Sequence, residues 1–263
     1  MGKKRLSLMG CGYLNNIVAD AYLNGMLEDY EIVGVMGKSE ENIKALSEKL
    51  GCAGCSSMED LLALKPDYVA EAASGQAVRT YAEQILGSGA NLVVISIGAF
   101  ADKELYQRVQ KVARANGTKV YIASGAVGGF DVLRTISLMG EAKTKMTSRK
   151  SPRSIRYTPL YKEGLLEIDQ PTEVFSGTSK QAIEILPTMV NVSVATALAS
   201  VGPENLGYRI NCEPDMVGDD YVIETEVEEL GMKAVLNIYS RTSEIAGWSI
   251  VEVLQNAESP IVF

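Results

Sequence analysis

The sequence predicts an α/β protein in two parts: a doubly wound parallel sheet, then an α+β domain with a mixed or antiparallel sheet. Three observations predict it. From Arg5 to Ile122 short apolar runs alternate with amphipathic stretches, as when parallel strands are joined by crossover helices. Gly10 and Gly12 stand where the first apolar run gives way to the first amphipathic stretch. After Ser124-Gly125-Ala126-Val127-Gly128-Gly129 the texture becomes polar, Pro-containing and strand-like. Together the first two features describe a Rossmann sheet.

Strands are expected at 5–9, 31–36, 67–71, 91–95 and 119–122. Between them, 13–26, 40–50, 76–86 and 102–115 carry apolar residues at helical spacing. Further on, 131–140 reads as a helix, 147–174 as strand-like, and 184–199 as a helix whose first part is restricted by Pro187. Strands follow at 206–212, 220–227 and 233–240, the last two joined by a turn at 228–231. The periodic stretch 242–255 predicts a closing helix that packs back on the first domain. The expected division is therefore 1–123, 124–241 and 242–263.

With 263 residues, 46% of them hydrophobic, the chain can bury one large core or two smaller ones. A net charge of −8 and no cluster of five or more Lys or Arg argue against a nucleic-acid or anionic-membrane partner. No apolar run reaches the roughly 18 residues of a membrane-spanning helix. The start, Met1-Gly2-Lys3-Lys4-Arg5, lacks the apolar length of a secretory signal, so the chain reads as cytoplasmic. Its four cysteines are scattered, as reduced thiols would be. Cys52 and Cys55 have redox or zinc spacing, but there is no second ligand pair and no histidine, so no metal is expected and a short buried strand is the plainer reading.

The segment from Leu6 to Asn15 places Gly10 and Gly12 between strand and helix. There the first glycine allows a tight turn and the second lets the backbone approach a pyrophosphate, seated on the helix N-terminus at Tyr13 and Leu14. Asn15 replaces the usual third glycine, which predicts a local hydrogen bond or a slightly displaced helix. Residues 1–123 thus read as a dinucleotide-binding domain. The end of the second strand, Val35-Met36-Gly37-Lys38-Ser39, lacks the acid that would bind a ribose 2′-hydroxyl. Lys38 and Ser39 offer a cation and a hydroxyl instead, while Glu40 and Glu41 open the next helix. The expected cofactor is NADP, with NAD possible; a solvated loop lysine is the alternative for Lys38.

Several ordered blocks resemble the L-aspartate dehydrogenase family: Glu71-Ala72-Ala73-Ser74, 95–102, 124–131 and Asn191-Val192-Ser193-Val194-Ala195, with weaker echoes at 149–152 and 241–243. The resemblance implies a homodimeric oxidoreductase moving hydride between NAD(P) and the α-carbon of an amino acid, giving an imine that water hydrolyses. It implies that Ala126 and Asn191 contact the nicotinamide end, and that turns carrying Ala73, Ser74, Ser96 and Gly98 close over the ribose and ring. The block 213–221 departs from the family, with Tyr221 in place of its catalytic histidine and Asp219 where asparagine is usual. Tyrosine, with a reference pKa of about 10, is a poor base unless a cation lowers it. Arg149, Lys150 and Arg241 are candidates for that cation, and Asp219 and Asp220 are alternative proton acceptors. Tyr221 could also be a plain strand residue. Arg149, Lys150 and Ser193, with Thr196, are candidates for holding a substrate carboxylate. Three readings remain: an aspartate-type dehydrogenase, a reductase of another imine or oxo acid with Tyr221 as donor, and a non-catalytic NAD(P)-binding protein.

Overall fold

A computed structural model describes residues 2–263 and divides the chain into two units. One comprises the residues through Gly125 together with Glu244–Phe263; the other is Ala126–Ser243.

The first unit runs β1 (Lys4–Met9), α1 (Tyr13–Leu23), β2 (Tyr30–Met36), α2 (Glu40–Leu50), β3 (Ala53–Cys55), α3 (Met58–Ala63), β4 (Tyr68–Glu71), α4 (Gly75–Gly87), β5 (Asn91–Val94), α5 (Lys103–Asn116) and β6 (Val120–Ile122). All six strands are parallel, in the order β3-β2-β1-β4-β5-β6. The order reverses between β1 and β4, which opens a crevice at the carboxyl ends of these strands. Leu6, Leu8, Val35 and Val93 are fully buried in the core, each contributing about 1.5–3 kcal/mol of transfer free energy. Side chains of Ser39, Ser57, Ser74 and Asp102 cap α2, α3, α4 and α5, at about 1 kcal/mol each. Cys55 ends the short edge strand β3 and Cys52 immediately precedes it, and both thiols are free.

The second unit runs α6 (Phe130–Met139), β7 (Lys143–Lys150), β8 (Thr172–Thr178), α7 (Ser179–Ile185), α8 (Asn191–Leu198), β9 (Gly207–Cys212), β10 (Asp219–Val227) and β11 (Met232–Ser240). Its sheet is mixed, in the order β11-β10-β7-β9-β8, with β7 and β9 parallel and the other pairs antiparallel. Helix α6 packs against β10. The strand-like stretch 147–174 is corrected. Strand β7 begins earlier and stops at Lys150, Pro152 opens a short 3-10 turn, and β8 starts at Thr172 after loops packed on Ile155, Leu165 and Cys212. The helix expected at 184–199 is also two helices. Leu186, which precedes Pro187, leaves the helical region at φ −125° and ψ 65°, because the proline ring crowds the residue before it.

The chain closes with α9 (Glu244–Glu258), whose Ile250, Val251 and Leu254 are buried in the core of the first unit. Among the described residues no helix is long and apolar enough to cross a membrane.

Candidate active site

In the first unit β1 ends at Met9, and Gly10 turns the chain at φ +105°. A Cβ there would strike the Ala72 carbonyl, so only glycine fits. At Gly12 a Cβ would meet nothing within 4 Å. That glycine is therefore not demanded by packing, and it leaves room for a ligand to reach the backbone. Helix α1 starts immediately afterwards without a side-chain cap or an acidic first turn, so its amide donors face the crevice without a competing carboxylate. Asn15 makes the expected local hydrogen bonds: its buried Nδ2 donates to the carbonyls of Met9 (3.1 Å) and Gly10 (2.7 Å), pinning the loop that a third glycine would merely leave room for. Tyr13 is exposed and donates to Glu244 Oε1 at 3.3 Å, whereas Leu14 packs against the core.

A cleft of about 470 Å³ runs from Gly10 and Gly12 past Lys38 and Ser39 to Ser74, and among the described residues no Asp or Glu lines it. Lys38 is exposed. Ser39 accepts the Asn42 amide at 3.3 Å as the cap of α2, which leaves its hydroxyl proton available to donate. These residues fit a nicotinamide dinucleotide: an open glycine turn, uncapped helix amides and an acid-free tip of β2. Asn42, Ser56 and Thr80 also line the cleft. No motif points to them, because they come from α2, the β3–α3 turn and the outer part of α4.

Glu71, the last residue of β4, carries no signal in the sequence beyond its place in the block Glu71-Ala72-Ala73-Ser74. Its carboxylate is fully buried. Oε1 accepts the amides of Ala73 (2.8 Å) and Ser74 (2.9 Å), and Oε2 accepts the amide of Ser96 (3.0 Å). Burial pushes its pKa up, while these amides and the Ser96 hydroxyl pull it down. Ser74 also caps α4 through Ala77, and Gly98 lies in the 3-10 turn Ile97–Ala101.

In the second unit, the register of β7 and β10 sets Asp219 opposite Lys150 and Tyr221 opposite Ser148 on one face of the sheet. Lys150, only 4% exposed, donates to Asp219 Oδ1 at 2.8 Å and to the Tyr221 hydroxyl at 3.3 Å, with its Nζ 5.3 Å from the Tyr221 ring centroid. The Tyr221 hydroxyl donates to Asp219 Oδ2 at 3.1 Å. Burial first, then the Asp219 charge, pushes the phenol well above its ordinary range. The cation that could have lowered it is therefore present but outweighed, so Tyr221 is a hydrogen-bond donor and a poor proton acceptor.

Arg149 and Lys150 do not converge, because adjacent strand residues point to opposite faces. Arg149 is paired with Asp220 at 2.9 Å, and Asn237 donates to the other Asp220 oxygen at 2.6 Å. Arg241 approaches the Tyr239 hydroxyl at 3.3 Å. Ser193 is buried, shares a hydrogen bond with Ser179 and donates to the Val190 carbonyl, while Thr196 donates to the Val192 carbonyl. Both hydroxyls thus serve helix ends and turns. Asn191 is the first residue of α8, and Ala126 is the first residue of the second unit. Among the described residues there is no group of three or more Cys, Asp or Glu able to hold a metal.

Residues 131–257 match the family model described as aspartate dehydrogenase, C-terminal, and residues 10–123 match one described as homoserine dehydrogenase, NAD binding domain. The chain is 30% identical over 268 residues to the L-aspartate dehydrogenase of Methanosarcina barkeri, covering 98% of each sequence. It is 28% identical over 263 residues to that of Methanocaldococcus jannaschii, again covering 98% of each. The crystal structure of aspartate dehydrogenase from Thermotoga maritima superposes with a TM-score of 0.78 at 25% identity, covering 99% of both chains.

Proposed function

The chain belongs to the L-aspartate dehydrogenase family, and we propose from that premise that it is an NADP-dependent amino-acid dehydrogenase of the aspartate type. A bound nicotinamide would supply the hydride acceptor for an amino-acid α-carbon, or the hydride donor for the imine. Gly10, Gly12 and the first amides of α1, at Tyr13 and Leu14, hold the pyrophosphate. Lys38 and Ser39 would hold the 2′-phosphate. Ala73, Ser74, Ser96 and Gly98 border the ribose of the nicotinamide half, and Ala126 and Asn191 take the ring contacts that their family positions imply.

Lys150 and Asp219 present a cation and a carboxylate 2.8 Å apart. This pairing complements an α-amino acid zwitterion, and it is the observation that carries the reading. The ammonium exchanges onto Asp219, which takes its proton as hydride leaves the α-carbon, and the substrate carboxylate takes the place of Asp219 on Lys150. Tyr221 orients Asp219 by donating to it. Water then adds to the imine, releasing ammonia and the oxo acid. Ser193, held by Ser179 and Val190, supports α8 beside Asn191, and Arg149 supports the opposite face of the sheet.

The reading is tested by steady-state turnover of oxaloacetate with ammonia and NADPH. Asp219→Asn is expected to lower kcat by about 100-fold or more, Tyr221→Phe by less, and Lys150→Met chiefly to raise KM for the oxo acid. Absence of turnover in the wild type overturns the aspartate assignment. The donor character of Tyr221, standing where the family has histidine, favours as second reading a reductase of a different imine or oxo acid, which a substrate panel separates. The same reading makes the protein a cytoplasmic homodimer joined through the open face of the second-unit sheet, where Val235 and Tyr239 are exposed.

A further inference from the structure

We infer that Glu71 is a positioning residue for the nicotinamide half of the cofactor, clasping with one carboxylate the two turns that border it. The inference rests on the dinucleotide reading above and adds to it a residue with no contact to the ligand. Strands β4 and β5 are parallel neighbours, with Glu71 in register with Val94, so the turns that follow them leave the sheet side by side. Glu71 ties the first turn through Ala73 and Ser74 and the second through Ser96.

Only a carboxylate does this. Both its oxygens accept, and each here faces backbone N–H donors. Glutamine has one oxygen: it can hold Ala73 and Ser74 or hold Ser96, but it must then present an NH2 group to the remaining donor. Aspartate is shorter by a methylene and cannot span both turns. With 0% exposure, the carboxylate touches no substrate and acts through the turns alone. Lys38 and Ser39, which serve the adenosine half, sit at the end of β2, two strands away across β1.

The full-length chain distinguishes these halves. Binding is measured for NADPH and for 2′,5′-ADP, which carries only the adenosine end. Glu71→Gln is expected to weaken NADPH at least tenfold, equivalent to about 1.4 kcal/mol, and to leave 2′,5′-ADP unchanged. KM for NADPH is expected to rise more than kcat falls. Unchanged NADPH affinity overturns the inference, and so does an equal loss for both ligands, which would mark a general structural role. Should Glu71→Gln not fold, amide hydrogen exchange of the nucleotide-free wild type decides. Slow exchange at Ala73, Ser74 and Ser96 supports the clasp, and fast exchange at any of them overturns it. A wild type that binds neither ligand would sink the NADP reading instead, leaving the exchange measurement to judge the clasp.

Discussion

Lys38 is exposed at the end of β2, beside a serine that caps α2 and in a cleft without a carboxylate. A 2′-phosphate there gains a charge-assisted hydrogen bond worth about 1.5–3 kcal/mol, whereas a 2′-hydroxyl gains little. Lys38→Ala is accordingly expected to raise KM for NADP roughly tenfold or more while changing NAD little; equal weakening of both would refute the assignment. Cys52 illustrates the opposite outcome, a residue whose spacing suggests chemistry that its surroundings suppress. Burial, then the neighbouring Cys55 and Cys11, push its thiol up to about 11. Folding therefore favours the protonated form. This contribution to stability is complete below the unfolded value of 9.0 and is lost as pH rises through about 11. Alkylation of Cys52 by iodoacetamide, followed by peptide mass spectrometry, is expected to be slower at pH 7.5 than for a free cysteine and to climb toward pH 11. Of the residues that a linear reading captured, Asn15 acts on Met9 and Gly10 just before it, and Gly10 and Gly12 are marked by their place between strand and helix. Glu71 escaped it because Ser96 lies 25 positions away and meets it only once β4 and β5 pair.

At the scale of elements, the first unit was legible apart from the six-residue α3, too short to show a stripe, because its central strands are short apolar runs ended by turn residues and its longer helices each have their own stripe. The second unit was less so. Its β7 reads Lys-Thr-Lys-Met-Thr-Ser-Arg-Lys, with Thr144, Met146, Ser148 and Lys150 turned inward, so the buried face is mostly polar and the period-2 signal is weak. The same alternation separated Arg149 from Lys150, which adjacency in sequence had grouped. The opposite face of β10 and β11 carries Val235 at 54% exposure and Tyr239 at 51%, among Arg149, Asp220 and Glu224. An apolar strip rimmed by charges suits a self-complementary contact. Val235→Lys tests it without threatening the fold, since Val235 pairs with Glu224 across the strands and the lysine gains an ionic neighbour. Light scattering after size exclusion is expected to give a dimer for the wild type and a monomer for Val235→Lys at micromolar concentration. A monomeric wild type would remove the dimer from the proposal.

For the molecule as a whole, the second unit interrupts the first, since Ala126–Ser243 lies between the strands of the first unit and α9, a helix that the first unit needs. Ile250, Val251 and Leu254 are nearly or fully buried among residues that include Val18, Ala21 and Tyr30. The Tyr30 hydroxyl donates to the Leu254 carbonyl at 2.7 Å. Removing α9 would expose three large side chains' worth of burial, roughly 5–9 kcal/mol, which is comparable to the whole stability of a typical domain. Residues 1–125 alone are therefore expected not to fold. Rejoining the two ends should restore the fold, because the Gly125 amide already donates to Ser249 Oγ at 3.0 Å, placing the break close to the helix it must meet. A fusion of 1–125 to 244–263 through a short glycine-serine linker is expected to unfold cooperatively in urea and to bind 2′,5′-ADP with wild-type affinity. It should show no turnover, because Lys150, Asp219 and Tyr221 are gone. Cooperative folding of 1–125 without α9 would show instead that the helix is an accessory, and that the continuous part of the chain holds the cofactor fold by itself.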